Sequence, residues 1–307
     1  YFNFETVENE KINIKFALSP VSSAGALKNM EAEIPHWDFN KTKEETKEKW
    51  NKELSKIEVS SINKGDKINF YTAMYHTNLS PILYEDVDGQ YRGLDQNIHT
   101  SEGFTNYTIF SLWDTYRALH PLLNITQPER NNDMIKSMLA HHDESVHNML
   151  PIWSHYANEN WCMIGYHATS VIADAMVKGV GDFDKEHALK ASVNTASVRY
   201  FDGLGDYIDY KFVPDDKSHS AVSKTLEYAY NDWCIAQVAN HMGNSSTEEE
   251  FLKRSEYYHN VYDPNIGYMR PKLSDGSFRK DFDPMDTHGQ GFIEGNAWNY
   301  GLYVPQN

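Results

Sequence analysis

Along this chain the spacing of apolar positions changes from period two to helical period near residue 66. Phe2, Phe4 and Thr6 alternate with polar neighbours, Glu8-Asn9-Glu10 interrupts them, and Ile12, Ile14, Phe16 and Leu18 alternate again. That pattern predicts a hairpin over residues 1–19. A lone hairpin is marginal in water, so it reads as the edge of a β-domain whose earlier strands lie outside the sequence. Residues 41–57 are charged, with Trp50, Leu54 and Ile57 at i, i+4 and i+7, which predicts an amphipathic linking helix. Beyond residue 66 helices are predicted over 67–83, 105–122, 128–144, 161–179, 184–200, 220–242 and 247–261. Pro128 before Glu129 suits a first turn, Gly179 a C-cap, and Thr247 with Glu250 a capping box. The segments 161–179 and 220–239 are apolar on more than one face, as in helices buried between neighbours.

Long loops rich in aromatics, Gly and Asp separate these helices, at 84–103, 201–214 and 268–291. Disordered segments are poor in aromatics, so loops of this composition point to function. Flat rings beside carboxylates and amides suit a sugar, whose C–H faces stack while its hydroxyls take hydrogen bonds. The segment 289–300 at the end of the last of these loops is the most informative. Glu294 is its one acid, glycines stand at 289, 291 and 295, Phe292, Trp298 and Tyr300 offer apolar faces, and Asn296 and Asn299 both donate and accept. A carboxylic acid among rings can keep its proton and act as a general acid. The same residues also fit a glycine-rich turn with a Glu at a helix start.

Net charge narrows the partners. At −16 the 307-residue chain shows no basic face for a phosphate backbone, which argues against nucleic acid as a partner. A hydrophobic content of 40% with 13% aromatics describes a globular protein, and no apolar run is long enough to span a membrane. Cys162 and Cys234 lie in apolar stretches beside Trp161 and Trp233 and read as buried free thiols. No signal peptide is visible and Tyr1 falls within a strand pattern, so the natural N-terminus is expected to lie upstream.

Other acids carry two readings each. Asp114, in Ser111-Leu112-Trp113-Asp114-Thr115-Tyr116-Arg117, sits in an apolar helical pattern, where an unpaired charge is costly. It either pairs with Arg117 or holds ligand hydroxyls in a pocket. Glu159, in Asn158-Glu159-Asn160-Trp161-Cys162, reads as a first-turn charge or as a pocket residue beside Trp161. His141, His142, His147, His155 and His167 lack HExxH spacing, so no zinc site is expected from them. Asp86-Val87-Asp88-Gly89 starts like a calcium loop but lacks its later ligands, and Asp281, Asp283 and Asp286 are ambiguous in the same way. Walker, dinucleotide and GxSxG patterns are absent.

Six segments in order carry a family resemblance: Glu33-Ile34-Pro35-His36-Trp37-Asp38-Phe39, Asp86-Val87-Asp88-Gly89-Gln90-Tyr91-Arg92-Gly93, Ser111-Leu112-Trp113-Asp114-Thr115, Gln127-Pro128-Glu129-Arg130, Trp161-Cys162-Met163-Ile164-Gly165-Tyr166-His167 and Phe292-Ile293-Glu294-Gly295-Asn296-Ala297-Trp298. Each alone is weak. As a set running from near residue 30 to 300, they make the chain resemble glycoside hydrolase family 92, the calcium-dependent, inverting, exo-acting α-mannosidases of bacteria. The resemblance implies a mainly α fold: residues 1–20 as the end of an N-terminal β-sandwich, 21–65 as a linker with an amphipathic helix, and 66–307 as the first part of an (α/α)6 catalytic barrel. It implies Glu294 as general acid and Asp114 as the grip on terminal mannose; Trp113, Glu159, Trp161, Asn296 and Trp298, read from their own surroundings, are the further candidate substrate-binding residues.

Also implied are calcium as cofactor, a mannose-containing glycan as substrate, and a secreted or periplasmic bacterial location. The family's later Gly-Asn-Glu-Pro and Gly-Asn-Asp-Asp-Cys-Gly motifs, with the catalytic base and calcium contacts, do not occur here, and Gln306-Asn307 stands where the family reads His-Asp. The rest of its own polypeptide is therefore an expected partner, and the piece alone is expected to be inactive. Two rivals remain: another toroidal hydrolase of the trehalase or glucoamylase kind, and a non-catalytic glycan-binding protein.

Overall fold

A computed structural model of the chain describes residue 1 and residues 3–307, and it is mainly helical. Three helices come first: α1 (Ser23–Glu33), α2 (Phe39–Leu54) and α3 (Lys64–Thr77). Ser22, Asp38 and Asn63 cap them, each accepting a backbone N–H of the first turn. α2 buries no residue and rests on α3 through Trp50 and Tyr75, whose rings lie 4.6 Å apart. It is the linking helix expected from 41–57, whereas α1 was not foreseen.

Short strands follow: β1 (Ile82–Leu83), β2 (Gln90–Arg92), β3 (Ile98–Thr100), β4 (Tyr107–Thr108) and β5 (Phe110–Ser111). Antiparallel pairs form between β1 and β4 and between β2 and β3. Next come α4 (Leu112–Thr115), α5 (Leu119–Thr126) and α6 (Pro128–Glu144), with Pro128 at the first helical position as its sequence required. β6 (Trp153–His155) and β7 (Asn158–Glu159) join β5 in a three-stranded sheet. The helices α7 (Ala168–Val177), α8 (Lys185–Thr195), α9 (Leu204–Tyr210), α10 (Ala221–His241) and α11 (Ser245–Ser255) supply most of the core, before β8 (Tyr262–Asp263), β9 (Tyr268–Met269) and α12 (Ala297–Tyr300).

Burial on all sides of α7 and α10 matches their all-round apolar pattern. His167 meets Glu227, Ser170 meets Tyr230, and Ala173 to Val177 share a groove with Trp233 to Gln237. Contacts thus advance together along both helices, so α7 and α10 run in the same direction. Asp232, fully buried on α10, accepts from Tyr166 (2.6 Å), Tyr207 (2.9 Å) and Arg254 Nε (3.0 Å), which ties α9 and α11 to this pair.

Several elements differ from the sequence expectations. No strand forms over residues 3–19; Glu10 N to Val7 O and Val7 N to Glu10 Oε2 close a turn, and Ile12, Ile14, Phe16 and Leu18 are exposed. Phe2, placed in that hairpin, lies outside the described residues. The helix expected over 105–122 is β4, β5, α4 and the start of α5: Ile109 takes a left-handed φ of 65°, and Pro121 fits only a helix beginning within two residues of it. Helix 67–83 stops at Thr77, and residues 82–83 pair as β1 instead. Within the loop expected over 201–214, α9 forms. Cys234 is a buried free thiol as expected, but Cys162 is exposed. Thr247 does not start its helix; Asn244 caps it three residues earlier, accepting from Thr247 N at 3.2 Å.

Candidate active site

Residues 158–179 depart furthest from expectation, and the departure shapes the site. Instead of starting a helix, Asn158 and Glu159 form β7, joined to β6 by Tyr156 and Ala157 with φ of 47° and 62°. Two consecutive positive φ values in a two-residue loop give the turn that matches strand twist. Left-handed Trp161, Met163 and Gly165 then carry the chain to α7. Glu159 locks this hairpin: its carboxylate accepts from the backbone N–H of Ile152 (2.9 Å), Trp153 (2.8 Å) and Trp161 (3.0 Å). Burial pushes its pKa up, against the three amides that favour the charged form. Both oxygens are engaged by backbone, so Glu159 is a clamp that sets Trp161. The Trp161 ring packs against His147 at 5.3 Å and Phe201 at 5.5 Å and stays partly exposed.

Asp114 lies on the short α4 that follows β5, so the sheet holding Glu159 also positions it. It is exposed, and among the described residues its carboxylate takes one hydrogen bond, from Ser111 Oγ at 3.1 Å. Pairing with Arg117 does not occur. That guanidinium donates to Trp113 O at 3.1 Å and reaches within 3.8 Å of Glu227 instead.

Glu294 is also exposed, with a left-handed φ of 46°, and among the described residues nothing bonds to its carboxylate. Its loop is docked on the first turn of α10, where Gly291 O accepts from Val222 N (2.9 Å) and Ser223 N (3.2 Å) and Ile293 N donates to Ser223 Oγ (3.1 Å). Gly291 is required there: a Cβ would stand 2.8 Å from Pro271 Cγ at a φ of 81°. Asn296 is buried and caps α12, accepting from Trp298 N and Asn299 N while donating to Met285 O. Its polar atoms hold the loop. Trp298 is 60% exposed beside Tyr268, which leaves a ring face open to a ligand.

Glu227 joins these segments, and the sequence reading missed it. It is fully buried on α10 and accepts from Trp113 Nε1 at 2.9 Å, His167 Nε2 at 2.7 Å and Tyr300 Oη at 3.4 Å. One carboxylate therefore connects the Ser-Leu-Trp-Asp and Gly-Tyr-His segments with Tyr300, two residues past the Gly-Asn-Ala-Trp segment. Burial holds His167 below its ordinary pKa, against the raising effect of Glu227. Asn231 Nδ2 donates to its Nδ1 at 2.9 Å, which leaves the proton on Nε2 facing Glu227. Tyr116 stacks flat on His167 with centroids 4.0 Å apart. Lys224, also fully buried, anchors the start of α10 to Asp202 (2.6 Å) and Ser218 (2.9 Å). A lone Glu and a lone Lys inside Ala221–His241 were the available signal, because buried charges need partners.

Asp86 and Asp88 are fasteners as well. Asp86 accepts from Ser19 Oγ (2.7 Å) and Asn29 Nδ2 (2.8 Å), and Asp88 pairs with Lys28 (2.8 Å), tying α1 to the β2 region. Among the described residues the cluster able to hold a cation is His142, Asp143 and His187. Calcium takes about six to eight oxygens, so two imidazoles and one carboxylate do not fit it.

Residues 25–307 match the family model described as the glycosyl hydrolase family 92 catalytic domain. A family 92 α-mannosidase from Bacteroides thetaiotaomicron is 49% identical with a TM-score of 0.90, over 94% of this chain and 39% of that one. Its structure in complex with mannoimidazole gives 48% identity and a TM-score of 0.91, over the same shares of 94% and 39%. A family 92 inverting mannosidase from Bacteroides thetaiotaomicron VPI-5482 is 31% identical with a TM-score of 0.86, over 93% of this chain and 40% of that one. A protein of Arthroderma benhamiae described as an uncharacterized secreted glycosidase is 23% identical, over 100% of this chain and 41% of its own length. The chain spans about two fifths of these relatives. With two of its motif segments, and Tyr300 just beyond a third, meeting at one buried carboxylate and a family match over nearly its whole length, the chain belongs to glycosyl hydrolase family 92, as part of its catalytic domain.

Proposed function

We propose that the full-length protein is an exo-acting, inverting α-mannosidase that removes terminal mannose from glycans, with Glu294 as general acid. The observation that carries this is the placement of Glu294: exposed on a loop docked to α10, and tied by Tyr300 and Glu227 to the segment that presents Asp114. Asp114, with its carboxylate largely free, accepts hydrogen bonds from mannose hydroxyls, while Trp298 and Trp161 offer ring faces to the sugar. Glu159 and Asn296 serve as supports that aim these rings, and Trp113, held by Glu227, does the same for Asp114. A carboxylate from the rest of the polypeptide supplies the base, about 6.5–9.5 Å from Glu294, which leaves room for the attacking water.

Relatives in which similar chains form part of family 92 mannosidases, one of them solved with mannoimidazole, support the substrate class. Residues 66–307 form the first part of an (α/α)6 barrel in this proposal, with α7 and α10 as co-directional inner helices. In the same proposal residues 1–20, which form no strand among the described residues, supply the end of a β-sandwich completed by the rest of the polypeptide, and 21–65 link it to the barrel. Secretion or a bacterial periplasmic location is part of the same proposal; the word "secreted" in one relative's description supports it, and among the described residues no helix is long and apolar enough to cross a membrane.

Proton NMR of an α-mannobiose digested by the full-length protein tests the mechanism. The first product formed is expected to be β-mannose, and α-mannose or no hydrolysis overturns the proposal. Asp114→Asn is expected to cut kcat/KM about 10- to 100-fold, the worth of a hydrogen bond to a charged group, without moving the thermal unfolding midpoint. A lowered midpoint with unchanged kcat/KM would make Asp114 a structural residue.

A further inference from the structure

We infer that His142, Asp143 and His187 form a binding site for a divalent transition metal, represented by zinc, which fastens the end of α6 to the start of α8. The three side chains come from segments 44 residues apart, and their ligand atoms lie within 4.8 Å of one another. His142 Nδ1 stands 2.8 Å and His187 Nε2 2.9 Å from the same oxygen, Asp143 Oδ1. Ligand atoms set tetrahedrally about 2 Å from zinc are about 3.3 Å apart, so binding an ion needs the exposed Asp143 to retreat by a few tenths of an ångström and the two ring nitrogens, which stand within 4.8 Å of each other, to come to that separation.

The donor set selects the metal class. Two imidazoles and a carboxylate suit zinc, cobalt(II), nickel(II) or copper(II), and they are a poor match for calcium or magnesium. The imidazoles also have support behind them. The His142 side chain is 5% exposed, and its second ring nitrogen lies 3.3 Å from the Asn194 side-chain amide, on the same helix as His187. A half-turn of the Asn194 amide exchanges its oxygen and nitrogen, after which Asn194 accepts from His142 Nε2–H and leaves Nδ1 free to ligate. Such an outer partner is what orients a metal-bound histidine. His142 and Asp143 occupy the last turn of α6, where the helix dipole favours a cation. His187 is fixed in the first turn of α8 by Asp184, which caps its backbone N–H at 2.9 Å. The fourth position faces solvent, since the Asp143 side chain is 59% exposed, and takes water.

Zinc titration of the full-length protein in buffer with excess calcium, which keeps oxygen-rich sites filled, tests this. Wild type is expected to bind one more zinc equivalent than His187→Gln by equilibrium dialysis, and zinc should raise the unfolding midpoint of wild type only. Asn194→Ala should weaken zinc binding about 10- to 100-fold. His187 is partly exposed, so the variant should match wild type in unfolding midpoint before zinc is added; if it misfolds, the exposed Asp143→Asn provides the same comparison. Equal zinc stoichiometry and equal midpoint shifts in wild type and variant overturn the site, as does the absence of zinc binding by wild type.

Discussion

In the full-length protein, Glu294→Gln is expected to cut hydrolysis of an α-mannobiose about 10²- to 10⁴-fold, the usual worth of general acid catalysis. The glutamine keeps the shape of the side chain and cannot deliver a proton to the departing oxygen. Leaving groups differ in how much they need that proton, so a dinitrophenyl α-mannoside should lose far less rate than the disaccharide. Thermal stability should hardly change, because Glu294 is exposed and bonds to nothing among the described residues. Relief of its left-handed backbone is not expected either, since glutamine meets the same φ of 46° as glutamate. Equal rate losses on both substrates would mean that Glu294 binds sugar or holds the loop, and the acid would have to be another residue.

Glu227→Ala is expected to fail in a different way. It removes the acceptor shared by Trp113, His167 and Tyr300 inside a site with no exposure. Breaking a buried ionic or charge-assisted partnership by deleting one member costs about 3–5 kcal/mol, because the donors left behind are desolvated and unpaired. The unfolding midpoint should therefore fall by several degrees. Activity of the protein that remains folded should fall too, since Trp113 precedes Asp114 and Tyr300 lies on the helix just after Glu294. Glu227→Gln keeps one acceptor oxygen but turns an NH2 group toward a donor, so its loss should be intermediate. Tyr300→Phe, which removes the longest of the three hydrogen bonds, should be the mildest. If Glu227→Ala lowers the midpoint but leaves kcat and KM of the folded fraction at wild-type values, Glu227 stabilises the core without aligning the site.

The acids that drew attention in the sequence divide by what tertiary structure does with them. Glu294 and Asp114 are exposed, open to a ligand, and close in the chain to the aromatic residues that marked them. Glu159 was equally prominent in its motif, yet its oxygens are spent on backbone amides because the chain turns back into a hairpin. No periodicity could show that turn, since it depends on Tyr156 and Ala157 accepting positive φ, which neither residue advertises. The histidines were tested against a contiguous HExxH spacing. The cluster at His142, Asp143 and His187 is split between two helices and has no such spacing to read.

Local information determined a good deal. All-round apolar runs gave buried α7 and α10, Pro128 marked the first turn of α6, Gly179 marked the end of α7, and the charged 41–57 segment gave a surface helix. These follow from propensity, capping and period, all of which act within a few residues. The motif set was legible as a family signature for the same reason: it is written in order along the chain. What only the tertiary structure decided is which residues meet. Glu227 stands 114 positions from Trp113, 60 from His167 and 73 from Tyr300, and the chain brings them together because a buried carboxylate must find donors wherever packing offers them. Strands of two or three residues, such as β4, β5 and β7, likewise have too little pattern to be read locally and exist because a partner strand satisfies their backbone groups.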